Sequence, residues 1–472
     1  MKKTAVVILA AGKGQRMRSQ LPKVLHQLNG RPMLGYVAAA AEAAGVSQTL
    51  VVVGHGCEQV EAAFPQFNFA LQQPQLGTGH AVQCAMPQVA EDCENVLVVC
   101  GDTPLLTAET LSALMHSFEQ TGSTATVLSA RVPNPYGYGR IVRNLNGEVR
   151  AIVEERDASE EEKRICEINT GAYCFEAASL REALQQLTTD NAQGEYYLTD
   201  VIGILSALGK TVTSYLCADA AETAGVNDRV QLANAAAELR RRKNRSVMLS
   251  GVTIIDPANT YIEDTVQIGQ DTIIEPQTYL RGNTVIGANC HIGPFAEIEN
   301  SCISDNTRAQ RCLIIDSEAA ENCNVGPFAY LRPGTKLARK VKAGHFVEIK
   351  KSEIGEGSKV PHLSYIGDTT IGRDVNIGCG TITCNYDGKK KHRTVIADRA
   401  FIGSNTNLVA PVSVGEEALV AAGSTITEDV PAGAVGVARG RQRNVLDYIA
   451  RKAEEAKKAA EKAAENAENK QE

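Results

Sequence analysis

Residues 260–300 read TYIEDTVQIGQDTIIEPQTYLRGNTVIGANCHIGPFAEIEN and place an aliphatic side chain at every sixth position. The interval returns nearer the C-terminal end, so the repeat reaches about residue 427. The repeated positions are Ile262, Ile268, Ile274, Leu280, Ile286, Ile292 and Ile298, and later Ile396, Ile402, Leu408, Val414, Val420 and Ile426. A helix repeats about every 3.6 residues and a half-buried strand about every second residue. A period of six is instead typical of a hexapeptide β-helix, in which short strands form flat sides and successive turns stack.

Glycine often follows the repeated aliphatic residue, as at Gly269, Gly287 and Gly403. We interpret these glycines as sharp corners that require permissive backbone angles. A single rung cannot bury its own apolar face, so the coil needs many rungs, and its flat outer faces can pack against copies of itself. The alternative is an ordinary β-sandwich in which the spacing is a coincidence.

Residues 1–228 show nothing of this period, so the sequence predicts at least two domains. We divide the chain into a first domain at 1–228, a linker helix at 229–250, the coil at 251–449 and an Ala/Glu/Lys-rich tail at 450–472. The linker pattern places Leu232, Ala235 and Leu239 on one face. The adjacent basic run at 240–243 is interpreted as a solvated face rather than a binding patch.

The composition excludes several classes of protein. The net charge of −7 argues against nucleic-acid binding, and no apolar run approaches the ~20 residues of a membrane span. The apolar residues 4–10 lead directly into a glycine loop, which favours a strand over a signal peptide. Thirteen cysteines without a CxxC pair are typical of free thiols in a reducing cytoplasm.

The segment Ala11-Gly12-Lys13-Gly14-Gln15-Arg16-Met17 follows the first predicted strand. Glycines in this position let backbone N–H groups approach an anion. The segment is neither a dinucleotide fingerprint, because Met17 replaces the third glycine, nor a Walker loop. Arg16 adds a planar charged group that suits a phosphate.

Further strands are predicted at 49–53, 96–100, 125–131 and 171–175, alternating with helices. This order favours a parallel, doubly wound sheet with its site at the carboxyl ends of the strands. Gln72 and the loop from Gly77 lie where a base could approach. Asp102 follows a buried strand, where a carboxylate can hold Mg²⁺, although it could instead cap a helix.

Several of these segments together resemble known families. The loop at 11–17, followed by residues 22–25 (PKVL), resembles the start of sugar-nucleotide pyrophosphorylases. Polar segments at 137–140, 153–155, 167–171, 191–197 and 225–227 follow in order. Through about Arg439, the chain resembles the bacterial bifunctional N-acetylglucosamine-1-phosphate uridyltransferase/glucosamine-1-phosphate acetyltransferase family.

That resemblance implies a Rossmann-like α/β nucleotidyltransferase domain followed by a left-handed parallel β-helix. It implies that UTP and the product UDP-N-acetylglucosamine contact Leu9, Ala10, Ala11, Gly12, Lys23, Gln72, Gly77, Thr78, Cys100, Gly101, Asp102, Gly139, Glu154, Asn169 and Asn227. Among these residues, Gly139, Glu154 and Asn169 would bind the sugar. Asp102 and Asn227 would bind Mg²⁺, while Arg16 and Lys23 would act in catalysis by neutralising phosphate charge. Cys100 stands where relatives often carry tyrosine.

Two segments of the coil, at 326–351 and 384–393, appear in the sequence as breaks in the repeat. Insertions into a repeat often form its functional face. Acetyl transfer to an amine needs a base that works near neutral pH, and histidine has a suitable intrinsic pKa. His362 lies between the two breaks and is our candidate, with His345 and His392 as rivals. Arg332, Lys350 and Lys391 are available as cations for a sugar phosphate.

The resemblance assigns the remaining residues of this second site. It implies that glucosamine phosphate contacts Arg332, Lys350, Tyr365 and Asn376, and that acetyl-coenzyme A contacts Cys379, Asn385, Tyr386, Ser404, Ala422 and Arg439. Cys379 stands where alanine is common. The family is homotrimeric and builds its acetyl site where neighbouring coils meet.

We therefore expect a cytoplasmic homotrimer that makes UDP-N-acetylglucosamine from glucosamine-1-phosphate, acetyl-coenzyme A and UTP with Mg²⁺. One alternative is a nucleotidyltransferase whose coil only mediates oligomerisation or regulation. Another is a non-enzymatic repeat scaffold. No function is predicted for the tail.

Overall fold

The computed structural model describes residues 2–468, so the last four residues of the predicted tail lie outside the described part. The chain divides into two units, Met1–Asn306 and Thr307–Glu472. No helix within residues 2–468 has the length and apolar character to cross a membrane.

The first unit begins with a sheet whose central strand, β1, is buried on both faces. Ala5 and Val7 enter one apolar core, while Val6 and Ile8 enter the other. The strands of this part are β1 Thr4–Leu9, β2 Gln27–Leu28, β3 Arg31–Pro32, β4 Gln48–Val53, β5 Asn68–Leu71, β6 Asn95–Cys100, β7 Ala125–Arg131, β8 Arg140–Arg143, β9 Val149–Val153, β10 Glu167–Glu176 and β11 Val212–Leu216. The helices are α1 Met33–Ala43, α2 Cys57–Ala63, α3 Thr78–Ala85, α4 Ala108–Thr121, α5 Ala177–Leu184, α6 Asp200–Ala207 and α7 Arg229–Leu249.

The sheet order is β11-β7-β10-β6-β1-β4-β5. Strand β1 runs parallel to β4 and β6, as the alternating pattern predicts. Strand β10, however, is antiparallel to both β6 and β7, so the sheet is mixed rather than fully parallel. The reason is that β10 follows the β8–β9 hairpin and a 3₁₀ turn, without the crossover helix that a parallel neighbour needs.

Helix α7 occupies the segment where the sequence predicts a linker helix. Its apolar face, with Ala235 and Leu239 buried, packs in a cluster with Leu28 and Met33. The basic run is not merely solvated, because these side chains bind other parts of the unit. Arg242 Nη1 donates to the Leu105 carbonyl at 2.8 Å, Lys243 Nζ donates to the Val266 carbonyl at 3.0 Å, and Arg240 lies over the Tyr261 ring.

The first unit ends in rungs of a parallel coil. Thr260 pairs with Thr278, and Gln267 with Val285, so one full turn takes 18 residues. The strands are β12 Thr253–Ile254, β13 Thr260–Ile262, β14 Gln267–Ile268, β15 Ile273–Ile274, β16 Thr278–Arg281, β17 Val285–Ile286, β18 His291–Ile292, β19 Glu297–Glu299 and β20 Cys302–Ile303.

The second unit has the same coil architecture and ends in a helix. Its strands are β21 Arg308–Ala309, β22 Leu313–Ile315, β23 Glu318–Ala319, β24 Asn324–Val325, β25 Tyr330–Leu331, β26 Lys336–Leu337, β27 Lys342–Lys350, β28 Glu353–Ile354, β29 Lys359–Gly367, β30 Thr369–Ile371, β31 Asn376–Ile377, β32 Ile382–Cys384, β33 Thr394–Ile396, β34 Phe401–Ile402, β35 Asn407–Val409, β36 Val412–Val414, β37 Leu419–Val420, β38 Thr425–Ile426 and β39 Val435–Gly436. Helix α8, Tyr448–Glu468, begins two residues before the predicted tail and continues into it.

The six-residue repeat forms the core of the coil. Every repeated aliphatic residue named from the sequence is buried except Ile268, which is half-buried. The repeat also continues where the sequence suggests a break, since Leu331, Leu337, Ala343 and Ile349 are all buried at intervals of six. Residues 326–351 are therefore rungs and not an insertion. The segment at 384–393 is the insertion that the sequence predicts, and it lies between β32 and β33.

The corner glycines have a different cause from the one predicted. Among Gly269, Gly287, Gly293 and Gly403, only Gly293 has a positive φ, of 97°. At Gly403 an added Cβ would lie 2.5 Å from the Ala422 nitrogen. These positions generally need glycine because the next rung passes too close for a side chain.

Candidate active sites

A cleft of about 440 Å³ opens at the carboxyl ends of β1 and β6. Leu9 and Cys100 end these strands in register, so the loops that follow emerge at one edge of the sheet. Ten of the residues predicted for the nucleotide line it: Leu9, Ala10, Ala11, Gly12, Lys23, Gln72, Gly77, Thr78, Cys100 and Asp102. Gly101, between two of them, donates its N–H to the Leu9 carbonyl at 2.9 Å.

Two lining residues of the cleft, Lys23 and Asp102, meet a third polar side chain, that of Asn227. Lys23 Nζ forms an ion pair with Asp102 Oδ2 and donates to Asn227 Oδ1 at 3.1 Å. The backbone holds the two acceptors together, because the Val226 N–H donates to the Asp102 carbonyl at 2.8 Å. The Lys23 ammonium thus contacts one carboxylate oxygen and one amide oxygen.

This donor set fits Mg²⁺, which prefers oxygen ligands and is often held by one or two protein groups plus water and substrate phosphate. Within residues 2–468, no group of three or more His, Cys, Asp or Glu side chains could hold a metal ion.

The structure does not bring Arg16 to the lining of the cleft. It lies exposed on a 3₁₀ turn, Gln15–Met17. Lys13 lines the cleft instead, together with Gln75 and Glu195, which the sequence reasoning did not select. The glycines on either side of Lys13 are the sequence feature that could have identified it as a lining residue.

The residues predicted to read the sugar lie together beyond Cys100. The Asn169 N–H donates to the Gly139 carbonyl at 2.8 Å, and a Cβ on Gly139 would lie 3.4 Å from Glu154 Oε1. Burial raises the pKa of Glu154, which accepts a hydrogen bond from Thr199 Oγ1 at 3.2 Å.

Cys100 links this group to the cleft. Its sulfur lies 2.8 Å from the position that a Cβ on Gly171 would take. Burial raises the pKa of the Cys100 thiol to about 12, so the thiol is neutral at pH 7. Cys100, which lines the cleft, therefore also borders the segment at 167–171 that carries Asn169.

The second unit carries another polar cluster, on β27, β29 and the segment at 384–393. Lys350 Nζ lies 3.6 Å from Asp368 Oδ2, and Asn385 Nδ2 donates to the same carboxylate oxygen. Asn385 Nδ2 also lies 3.4 Å from the Tyr365 hydroxyl. The neighbouring Lys391 ammonium, together with burial, lowers the pKa of Lys350. The ammonium groups of Lys350 and Lys391 thus lie near a single carboxylate, that of Asp368. The net positive charge of this group attracts an anion.

Arg332 joins this cluster through strand pairing. Its Nη1 contacts Glu348 Oε1 at 2.8 Å, and Glu348 pairs with Tyr365 in the adjacent rung. Asn376 pairs with Lys359 at the other end of β29, away from Tyr365. Tyr386 is exposed and donates its hydroxyl to the Gly388 carbonyl at 2.7 Å.

The three candidate histidines differ in their surroundings. His345 and His362 pair across β27 and β29, and their rings stack with centroids 5.8 Å apart. Both side chains are exposed. His392 Nε2 contacts Asp387 Oδ2 at 2.6 Å. The Lys390 N–H and His392 hold the pKa of Asp387 far below its usual value, so His392 serves the fold of its own loop.

Phe346 and Leu363 directly follow the two stacked histidines. Together with Phe328 they form a patch that we call the apolar corner, and their exposed fractions are 61%, 61% and 52%. Phe328 and Phe346 stack with centroids 5.1 Å apart. Three neighbouring large apolar side chains exposed to this degree are typical of an interaction surface.

Four of the six residues predicted for acetyl-coenzyme A form a column that starts at His362. Strand register places Cys379 opposite His362, Ser404 opposite Cys379 and Ala422 opposite Ser404. Arg439 Nη1 then donates to the Ala422 carbonyl at 2.8 Å. Residues that are far apart in sequence thus follow one edge of the coil.

Sequence reasoning missed the carboxylates of the second site. Asp368 bridges Lys350 and Asn385, and Glu348 pairs with Arg332. Both lie in segments already selected for their cations and histidines. A buried cation such as Lys350 requires a nearby negative charge, and this requirement could have directed attention to the carboxylates in the same segments.

Three family models match parts of the chain: the MobA-like NTP transferase domain over residues 6–200, the bacterial transferase hexapeptide over 265–300, and the hexapeptide repeat of succinyl-transferase over 393–428. The hexapeptide matches fall on the coil, which is the left-handed parallel β-helix of these transferases.

Curated relatives match nearly the whole chain. The protein named Bifunctional protein GlmU from Heliobacterium modesticaldum is 56% identical over 96% of this chain and 99% of its own length. Proteins of the same name from Carboxydothermus hydrogenoformans and a Geobacillus species are 56% and 53% identical. They cover 94% and 96% of this chain and 99% and 98% of their own lengths.

Proposed function

This chain belongs to the GlmU family of bifunctional proteins, and from that membership we propose that it catalyses two consecutive steps of UDP-N-acetylglucosamine synthesis. The second unit acetylates glucosamine-1-phosphate with acetyl-coenzyme A. The first unit then transfers UMP from UTP to the N-acetylglucosamine-1-phosphate, with release of pyrophosphate. The observation that carries this proposal is the presence of one polar site in each unit, each of which suits one of the two reactions.

In uridylyl transfer, a phosphate oxygen of the sugar phosphate attacks the α-phosphorus of UTP. A new P–O bond forms while the bond to the leaving pyrophosphate breaks. The chain's contribution is mostly position and charge: Gln72 and Gly77 hold the base, Gly139, Glu154 and Asn169 hold the sugar, and Lys23 neutralises phosphate charge. Asp102 and Asn227 would hold Mg²⁺, which would supply further neutralisation of phosphate charge.

Arg16 is proposed as a second phosphate ligand. Its turn lies next to the glycine loop that lines the cleft, and its guanidinium is exposed, so it is available to a triphosphate that extends beyond the cleft.

In acetyl transfer, the amine of glucosamine-1-phosphate attacks the thioester carbonyl of acetyl-coenzyme A. The C–N bond forms, the C–S bond breaks, and the amine loses a proton. We assign His362 as the base that accepts this proton, since its imidazole is exposed at the start of the coenzyme column. Arg332, Lys350 and Tyr365 hold the sugar phosphate, and Asn376 lies on the next rung.

For acetyl-coenzyme A, the proposal uses the column of Cys379, Ser404, Ala422 and Arg439. Asn385 and Tyr386 contribute from the loop at 384–393. The proposed domains are 1–228, the helix at 229–250, the coil at 251–449 and the tail at 450–472.

The proposed assembly is a homotrimer formed through the coil. The apolar corner supports it, because Phe346 and Leu363 lie beside the stacked histidines and would be covered by another copy. A neighbouring subunit at this corner would also border the acetyl site. We propose the cytoplasm as the site of both reactions, where the thirteen cysteines, all free thiols in the described chain, would remain reduced.

A single assay tests the two activities. Purified protein is supplied with glucosamine-1-phosphate, acetyl-coenzyme A, UTP and Mg²⁺, and both coenzyme A and pyrophosphate are followed. Both products should appear, with coenzyme A first. Release of pyrophosphate only when N-acetylglucosamine-1-phosphate is supplied would leave a nucleotidyltransferase with a purely structural coil.

A further inference from the structure

The amide of Gln72 is fixed by two acceptors inside the nucleotide cleft. Its Nε2 donates to the Gly77 carbonyl at 2.8 Å and contacts His80 Nδ1 at 3.3 Å. The side chain is buried, with only 3% of its surface exposed. An amide nitrogen has two N–H groups and no acceptor, so these two contacts use all of its hydrogens.

The orientation leaves Gln72 Oε1 as a free acceptor. Across the described residues, Oε1 accepts no hydrogen bond, and the Gly77 N–H donates none. Both groups belong to residues that line the cleft. An acceptor beside a donor complements the imide edge of uracil, where N3–H donates and a carbonyl accepts. Cytosine has an acceptor at N3 and therefore faces Oε1 with like polarity.

The hydrogen-bonding state of His80 follows from the same contacts. Since Gln72 Nε2 can only donate, His80 Nδ1 must accept, and in a neutral ring the proton is then on Nε2. His80 Nε2 lies 3.7 Å from the Cys84 sulfur, which is a weak acceptor. The Tyr196 ring lies 6.4 Å from the imidazole. The ring thus presents a lone pair to Gln72.

We infer that His80 is a positioning residue that fixes the Gln72 amide with its oxygen toward the base and thereby selects uracil over cytosine. This inference rests on the proposed uridylyl transfer. Without the Nδ1 acceptor, only the Gly77 carbonyl would hold the amide. Gln72 would then rotate more freely and could present an N–H to cytosine N3.

Two substitutions separate this role from a general effect on folding. In His80→Asn, the short amide can place its oxygen near the former Nδ1 and keep an acceptor for Gln72. In His80→Gln, the longer amide reaches the former Nε2 position and leaves Gln72 without that partner. Cys84→Ala is the matched control, because it removes only the contact on the far side of the ring.

The full-length variants are assayed with N-acetylglucosamine-1-phosphate and either UTP or CTP. His80→Gln should lower the ratio of kcat/KM for UTP to that for CTP by about five- to tenfold, mainly through a higher KM for UTP. His80→Asn and Cys84→Ala should stay within about twofold of the wild type. Acetyl transfer by the same preparations reports whether the chain is intact.

The outcomes are distinct. If the wild type does not consume UTP, the proposed function itself fails. If the wild type prefers UTP and His80→Gln keeps that preference unchanged, His80 does not position Gln72. An equal loss of preference in His80→Asn and His80→Gln would also overturn the inference, because an acceptor at Nδ1 would then make no difference.

Discussion

At the scale of single residues, the first site depends on two oxygens that share one ammonium group. Asp102 and Asn227 contact Lys23, and the same oxygens are the proposed Mg²⁺ ligands. A substitution at Asp102 therefore removes both a metal ligand and the counter-charge of Lys23. Both residues lie in the first unit, whereas the acetyl site lies in the second. A substitution at Asp102 should therefore affect uridylyl transfer and acetyl transfer differently.

Asp102→Ala should lower uridylyl transfer by at least about 10²–10³-fold, because it removes preorganised charge at the phosphates. Acetyl transfer should change little. Both half-reactions are measured on the purified variant. Asp92→Ala is a matched control, since Asp92 forms a surface ion pair with Lys3. Comparable losses in both reactions would show that the two sites are not independent.

The raised pKa of Glu154 predicts how stability depends on pH. A carboxyl with a raised folded-state pKa binds its proton more tightly when folded, so it lowers stability as the pH rises through that pKa. Glu154→Gln should therefore raise the unfolding temperature at pH 8. The difference should vanish below about pH 4, where the carboxyl is protonated in both states.

The unfolding of Glu154→Gln is followed by calorimetry at several pH values, with Glu160→Gln as the exposed control. The KM for the sugar phosphate should rise in Glu154→Gln, because a proposed sugar ligand is altered. If Glu154→Gln were less stable than the wild type at pH 8, burial of the Glu154 carboxylate would not be destabilising.

His362→Ala should lower the acetyl kcat by about 10²–10⁴-fold, the usual contribution of a general base. Uridylyl transfer from supplied N-acetylglucosamine-1-phosphate should persist. His345→Ala and His392→Ala are the comparisons, because one ring stacks on His362 and the other pairs with Asp387. A larger loss in either one, with folding intact, would move the base to that residue.

At the scale of elements, the sequence predicted the type of each domain better than its local details. The six-residue repeat located the coil because large aliphatic residues occupy most core positions. It was lost in the middle for two reasons: the core positions Ala309, Ala319 and Ala343 are small, and some steps, such as Ala309 to Ile314, take five residues. The antiparallel β10 was missed because single-strand periodicity carries no direction.

The same limit applies to the sites. Glycine loops, Asp102 and the residues matched by resemblance could be predicted, since each leaves a local sequence signal. The pairing of Lys350 with Asp368, and the stacking of His345 on His362, depend on which rungs become neighbours. Five-residue steps shift that register, so it could not be counted from the sequence alone.

Gly378 provides a test of rung packing. A Cβ there would lie 2.5 Å from the Ser404 nitrogen and 2.6 Å from the Gly403 carbonyl carbon. Because both are backbone atoms, Gly378→Ala should destabilise the coil by about 1–3 kcal/mol and weaken acetyl transfer. Thermal denaturation and both activities are measured.

Gly203→Ala is the matched control for this substitution. Gly203 lies within α6, and an added Cβ would meet nothing within 4 Å. Alanine there should be neutral or stabilising by up to about 1 kcal/mol. If Gly378→Ala is as stable as the wild type, rung contact is not the reason for glycine at this position.

At the scale of the whole molecule, assembly and acetyl transfer should depend on the apolar corner. Phe346→Asp places a charge at the proposed subunit contact and should convert the proposed trimer to smaller species in light scattering. Acetyl transfer should fall by at least about tenfold, since burying an unpaired charge costs several kcal/mol. Uridylyl transfer should remain.

Leu145→Asp is the control, because Leu145 is fully exposed on the β8–β9 connection, outside the coil. It should leave both mass and activity unchanged. A Phe346→Asp protein that remains a trimer with normal acetyl transfer would place the subunit contact elsewhere on the coil.

The column from His362 to Arg439 also sets the length of acyl donor that the coil can bind. It spans five rungs, and neighbouring hydrogen-bonded strands are about 4.8 Å apart, so the four steps separate its two ends by roughly 19 Å. A thioester carrier must be long enough to reach the base while its far end is gripped. Selectivity for the acyl donor can thus be a matter of length, and removing one complete rung between Cys379 and Ala422 should shift preference toward a donor with a shorter arm.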